Sequence, residues 1–367
     1  MTFLRRTAAS VALIGSIVLV APAQAQAGPP NQVQRGLDSL VTADGFPGAL
    51  AAVRQRDGRT RDYTAGVGDL RTGARPQTDG YVRIGSNTKT FTAVVVLQLV
   101  GEGRIGLDEP VGTYLPGLVP NGGQITVRQL LQHTSGLANY TDFIPDEELE
   151  TALHRYREPR ELLDIAFAQA PDFAPGTSWK YSNTGYIVLG LLIQRISGRP
   201  LAEQITQRVI DRAGLRETYF PGVGDESIRT PHPRGYEGPE RVDLTTMDPS
   251  WGWAAGQMIA TPSDLNRFFR ALLGGSLLGP AELAQMRTTV DASAGLWPGA
   301  RYGLGLASTP LSCGGVYWGH GGDIPGFETR GGATEDGRAV AIAVTSTPWE
   351  EAAHQHVIDT VDAAFCR

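Results

Sequence analysis

Two tight-turn signals near opposite ends of the chain constrain its fold more than any other feature. Asp57-Gly58 separates the stretches 48–54 and 60–67, and Asp336-Gly337 separates 325–333 and 338–346. Asp-Gly is a hairpin turn signal, so each pair of stretches reads as two antiparallel strands. Beside each hairpin lies a helical pattern. Val33, Leu37, Leu40 and Val41 recur at helical spacing after Asn31, and Val357, Ile358, Val361 and Phe365 do so at the other end. The expected fold is α+β, an antiparallel sheet built by both termini and flanked by the N- and C-terminal helices.

The middle of the chain differs. Residues 87–100, 126–133, 146–154, 159–169, 185–197, 201–212 and 262–273 read mostly as helices between Gly- and Pro-rich loops, and 221–243 reads as a surface loop. This layout implies a lobe with an antiparallel sheet from 30–85 and 285–367, and a mainly helical lobe from 86–284. Ligand sites favour the cleft between such lobes.

Arg5 and Arg6, the apolar stretch from Ala8 to Val20, and the small-x-small pairs Ala23-Gln24-Ala25 and Ala25-Gln26-Ala27 have the layout of a secretory signal over residues 1–27. The apolar stretch is shorter than the roughly 20 residues a membrane span needs. The expectation is export with cleavage, a secreted product in the extracellular or periplasmic space, and no membrane span after processing. Cys313 and Cys366 fit an oxidising compartment and are expected to form one disulfide. The formal charge of −6 argues against a nucleic-acid partner.

Gly85-Ser86-Asn87-Thr88-Lys89 precedes the apolar run from Phe91 to Val100. Helix positions i and i+3 share a face, so the Lys89 amine can reach the Ser86 hydroxyl. Serine needs an adjacent base to become a nucleophile. Lysine can serve because burial lowers its pKa, whereas arginine stays charged. The chain carries 30 arginines and only two lysines, Lys89 and Lys180, so lysine at this one position stands out against the bias.

A second element, Pro175 to Asn183, is turn-rich and opens the helix at 185–197. A tyrosine phenol beside an ammonium can be held as phenolate or can shuttle a proton, and Tyr181 is placed for either. Asn183 could bond both Lys89 and a substrate amide. A third element is Trp318-Gly319-His320-Gly321-Gly322-Asp323, a strand end of small residues. Substrate backbone can lie along it, and an N–H there can complete an oxyanion hole with that of Ser86. His320 would add positive or hydrogen-bonding character.

Ser-x-x-Lys, Tyr-Ser-Asn and His-Gly-Gly in this order resemble the serine β-lactamase and penicillin-binding superfamily. The branch is that of class C β-lactamases and soluble, secreted D-alanyl-D-alanine carboxypeptidases. Leu130-Leu131-Gln132-His133-Thr134-Ser135-Gly136-Leu137 and Tyr302-Gly303-Leu304-Gly305 carry the same likeness, which runs from about residue 33 to the C-terminus. The resemblance implies the β-lactamase/DD-peptidase fold and Ser86 as acylated nucleophile. It implies Lys89 as proton partner, Tyr181 as general base and acid, and Asn183 and His320 as substrate ligands. Asp323 falls where the second oxyanion N–H belongs, Gly322 beside it is a further substrate-binding position, and Trp251 lies on a segment lining the acyl-side pocket. His133 is expected to be structural. No cofactor is implied. The implied substrates are small peptides, peptidoglycan stem peptides or β-lactams, met by a monomer.

Two positions depart from that pattern. Many relatives carry threonine at Gly321 and Thr or Ser at Asp323, and the carboxypeptidases carry an arginine where this chain has Ala307. Arg301 or Arg330 could compensate. The expected activity is D-Ala-D-Ala carboxypeptidase, with an esterase or D-amino-acid amidase and a class C-like β-lactamase as alternatives. A non-turnover protein that binds penicillin or wall peptides is the rival from another class. His354 and His356 point about 200° apart on a helix and cannot share one metal ion, no HExxH is present, and G-x-S-x-G is absent around Ser86.

Overall fold

Strand β9 (Ala339–Val344) shows how the sequence builds the core, because it is apolar on both faces. Val340, Ile342 and Val344 pack in one cluster with α1 (Gln32–Thr42) and α9 (Glu351–Phe365), whereas Ala339, Ala341 and Ala343 face a second cluster. A strand with one large and one small face sits inside a sheet covered on both sides. The small face admits α8 (Pro262–Leu273), whose Phe268 and Phe269 are fully buried, and Asn266 of α8 donates to the Ala52 carbonyl at 2.8 Å. The computed structural model describes residues 32–144, 153–348 and 350–366. The expected signal at 1–27 and most of the expected helix at 146–154 lie outside the described residues.

The sheet is antiparallel throughout. β1 (Gly48–Arg54) pairs with β2 (Thr60–Gly66) across Asp57-Gly58 and with β9 on its other side. β8 (Phe327–Ala333) pairs with β9 across Asp336-Gly337, so both expected hairpins meet in one sheet. Five short strands complete it: β3 (Val290–Asp291), β4 (Arg301–Tyr302), β5 (Ala307–Pro310), β6 (Val316–Gly319) and β7 (Gly322–Ile324). The spatial order is β2-β1-β9-β8-β6-β5-β4-β3, with β7 on β8. Of these five, only the strand end at Trp318–Asp323 is legible in the sequence.

α2 (Thr88–Gly101) is buried on all sides from Thr88 to Leu99 and stacks Phe91 on Phe268, with ring centroids 3.7 Å apart. A helix apolar all round belongs inside a core, so α2 anchors its first turn rigidly. α3 (Val127–Leu131) is opened by a Thr126–Gln129 capping box and ends two residues earlier than expected, because His133 adopts a φ of 62°. α4 (Pro159–Phe167) and α5 (Asn183–Ser197) match their patterns closely. α6 covers 201–213 with a π turn at Thr206–Ile210. α7 (Trp253–Gly256) is a single turn against α2.

Loop 221–243 is less superficial than expected. The buried Arg83 guanidinium donates to the carbonyls of Glu226, Thr245 and Met247 at 2.7–3.1 Å, and Tyr236–Glu237 pairs with Val242–Asp243. Cys313 and Cys366 form a disulfide that ties the C-terminal residues to the turn after β5. No helix among the described residues is long and apolar enough to cross a membrane.

Candidate active site

Ser86 sits in the single 3₁₀ turn Gly85–Asn87 that feeds α2, and Lys89 follows one turn later on the same face. The Lys89 Nζ lies 2.8 Å from Ser86 Oγ and 2.8 Å from the Ala255 carbonyl, inside α7. The same short helix accepts a bond from Thr92 at Ala254, and Met258 N–H donates to Thr88. Three side chains of α2 thus clamp 254–258 beneath the nucleophile. Lys89 has no exposed surface, and that burial lowers its pKa well below the ordinary lysine value despite the opposing charge of Asp323. Burial thereby shifts the amine toward its neutral form, the form able to accept the Ser86 proton.

Tyr181 closes the other side of this pair. Its ring centroid is 4.8 Å from Lys89 Nζ, and its hydroxyl hydrogen-bonds with Ser86. Burial raises its pKa well above the ordinary tyrosine value, an effect that outweighs the Ser86 bond. Of the two states expected from sequence, burial therefore favours the neutral phenol over a standing phenolate. The loop bearing Tyr181 is strapped to the end of α3. Gly176 N–H donates to Thr134, Lys180 N–H to His133 O, and Ser182 N–H to His133 Nδ1 at 3.1 Å. His133 also lies under the Tyr181 ring, centroids 4.3 Å apart, and burial lowers its pKa well below the ordinary histidine value. It holds Tyr181 as a neutral spacer.

His320 and Asp323 form the opposite wall. His320 Nε2 is 2.8 Å from the Tyr302 hydroxyl and Nδ1 is 2.5 Å from Gly321 O. Burial pushes the His320 pKa down to about 3, so the ring acts through hydrogen bonds and the positive alternative falls away. A Cβ on Gly322 would stand 2.0 Å from Ile84 O, and a Cβ on Gly85 would meet the Asp323 backbone nitrogen at 3.0 Å. These approaches bring the Asp323 backbone alongside the Ser86 turn.

A cavity of about 320 Å³ opens here, lined by Ser86, Tyr181, Asn183, Tyr302, His320 and Asp323 together with an apolar wall of Leu296 and Trp297. Gly295, Ala307, Gly321, Arg330 and His354 complete it. Asn183 lines the cavity, but its side-chain nitrogen donates to Thr141 and the Lys89 donors go elsewhere, so the expected Asn183–Lys89 bond is not made. Trp251 does not line the cavity; its carbonyl accepts from Tyr140 and it packs against the core. Lys180 pairs with Asp172 at the surface, and Arg301 bonds Thr289 away from the site. Leu296 and Trp297 went unread because they lie in a loop without periodicity.

Arg330 emerges as the cavity's cation. Its Nη2 lies 2.8 and 2.9 Å from the two Asp323 carboxylate oxygens, 3.0 Å from Glu328 and 3.1 Å from His354. Asp323, Glu328 and His354 have the composition of a metal site, but the guanidinium already occupies the space between them.

A serine beside a buried lysine amine in a small cavity has the make-up of a serine hydrolase site. The Beta-lactamase family model matches residues 33–364, and the chain belongs to that family. Its fold is the β-lactamase/transpeptidase-like α+β fold. A D-stereospecific amidohydrolase from Streptomyces is 38% identical with a TM-score of 0.82, the match covering 90% of this chain and 98% of that one. The D-amino acid amidase of Ochrobactrum anthropi SV3 is 28% identical with a TM-score of 0.81, over 91% and 96% of the two chains. The putative penicillin-binding protein PbpX of Bacillus subtilis is 30% identical over 270 residues, which are 73% of this chain and 62% of that relative's length.

Proposed function

We propose that this serine hydrolase acts through an acyl-enzyme on Ser86 and cuts amide or ester bonds of small D-configured amino-acid derivatives. The observation that carries the mechanism is the 2.8 Å contact between Ser86 Oγ and a fully buried Lys89 amine. Lys89 takes the serine proton as Oγ attacks the carbonyl carbon. The developing oxyanion is received by the backbone N–H groups of Ser86 and Asp323. Tyr181 relays the proton to the departing amine or alcohol, and water then releases the acid by the reverse route. Asn183 and His320 hold the substrate amide, and Leu296 and Trp297 take its apolar side chain.

The D-configuration rests on the similarity to the two D-specific amidohydrolases. The same reading includes export with loss of residues 1–27, a sheet lobe and a helical lobe flanking the cavity, and a monomeric product. Matched D- and L-phenylalanine amides and methyl esters test it. Release of D-phenylalanine by the wild type and none by Ser86→Ala supports it. Equal turnover of both enantiomers overturns the stereochemical part. A second reading, D-Ala-D-Ala carboxypeptidase on wall peptides, would require Arg330 in the cavity to take the substrate's terminal carboxylate.

A further inference from the structure

We infer that the Asp323 side chain is a built-in carboxylate that occupies Arg330 and so shuts the cavity to substrates ending in a free carboxylate. The inference rests on the amide- and ester-hydrolase reading and adds the group that this site rejects. Arg330 is the only arginine or lysine among the described residues lining the cavity, so a substrate carboxylate would have to bind there. The guanidinium is almost wholly buried, at 3% exposure, whereas the Asp323 side chain is 55% exposed. Asp323 is therefore the more accessible partner of the pair, and both side chains line the cavity. Both of its oxygens are engaged by Nη2.

Of the other Arg330 nitrogens, Nε is buried without a hydrogen-bond partner and Nη1 is committed. Nη1 donates to the Thr329 carbonyl at 2.8 Å, and Nη2 is shared with the fully buried Glu328 and with His354. Two carboxylates already flank one guanidinium, so a third would add like charge without a free counter-ion. A tethered carboxylate also competes well, since its binding costs little translational freedom. The backbone is shaped for this pair. A Cβ on Gly321 would stand 2.8 Å from Arg330 Nη1, so glycine there leaves room for the guanidinium. The register places Glu328 opposite Asp323, with Arg330 one step along on the same face of β8 as Glu328. Arg330 is a positioning residue acting through Asp323, and Asp323 is the specificity determinant.

Binding tests this without turnover. Calorimetry on the Ser86→Ala protein compares N-acetyl-D-alanine with N-acetyl-D-alanine amide, with and without Asp323→Asn or Asp323→Ala. Asp323 is half exposed, so both variants are expected to fold, and circular dichroism checks that. The expected result is a preference for the amide in the Ser86→Ala protein. In both double variants the acid-to-amide affinity ratio rises at least tenfold. An unchanged ratio in both folded variants overturns the inference, as does a preference for the free acid before Asp323 is altered. Failure of the hydrolase reading would appear instead as absence of Ser86-dependent turnover, with these binding ratios still measurable.

Discussion

Replacing Lys89 with methionine separates chemistry from stability. The side chains have similar volume, and the site is fully buried, so packing is nearly conserved. The Ala255 carbonyl loses a donor at 2.8 Å, which costs about 1–3 kcal/mol for a buried acceptor. Relief from burying an amine offsets part of that, leaving a net loss of about 1–2 kcal/mol, read as a shift of the urea midpoint. The effect on rate is larger. Loss of the base that takes the Ser86 proton costs about 10²–10⁴-fold, equal to roughly 3–5 kcal/mol of barrier. The assay is the pre-steady-state burst of p-nitrophenol from a D-aminoacyl nitrophenyl ester, run well below the unfolding transition. Acylation within about threefold of wild type in folded Lys89→Met would refute the assignment of Lys89 as the base.

Three further outcomes follow from the same geometry. Activity needs neutral Lys89, whose pKa burial lowers, so kcat/KM rises with pH along a limb lying well below 10.5. It stays high until the Tyr181 phenol ionises, above 10.0, and a pH–rate profile with its acid limb near 10.5 would contradict this. Gly322→Ala places a methyl group 2.0 Å from Ile84 O, so β7 must shift and kcat/KM should fall by at least about tenfold in the kinetic assay, on the scale of a lost oxyanion contact. Reducing Cys313–Cys366 removes a crosslink spanning 53 residues, worth roughly 4 kcal/mol by chain entropy. The melting temperature should drop while the initial rate at 25 °C holds.

The sequence announced the parts of this molecule that are locally determined. Asp57-Gly58 and Asp336-Gly337 turn where expected, with φ values of 84° and 85° at their glycines. Ser86 and Lys89 needed only helical spacing to be brought together. The strands from 290 to 324 are two to four residues long, so they depend on their sheet neighbours and carry no periodic signal of their own. The Asp323–Arg330 pair was hidden for the same reason, since the β7–β8 register sets it. Asn183 was expected on Lys89, but Ala255 and Ser86 already use that amine; sequence spacing cannot reveal such competition.

The most direct test of the central claim is the mass of the intact protein during turnover of a slow D-aminoacyl ester or benzylpenicillin, followed by peptide mapping. The account predicts one acyl group, on the peptide containing Ser86, and none on the Ser86→Ala protein. An adduct on another residue, or normal turnover by Ser86→Ala, would contradict it.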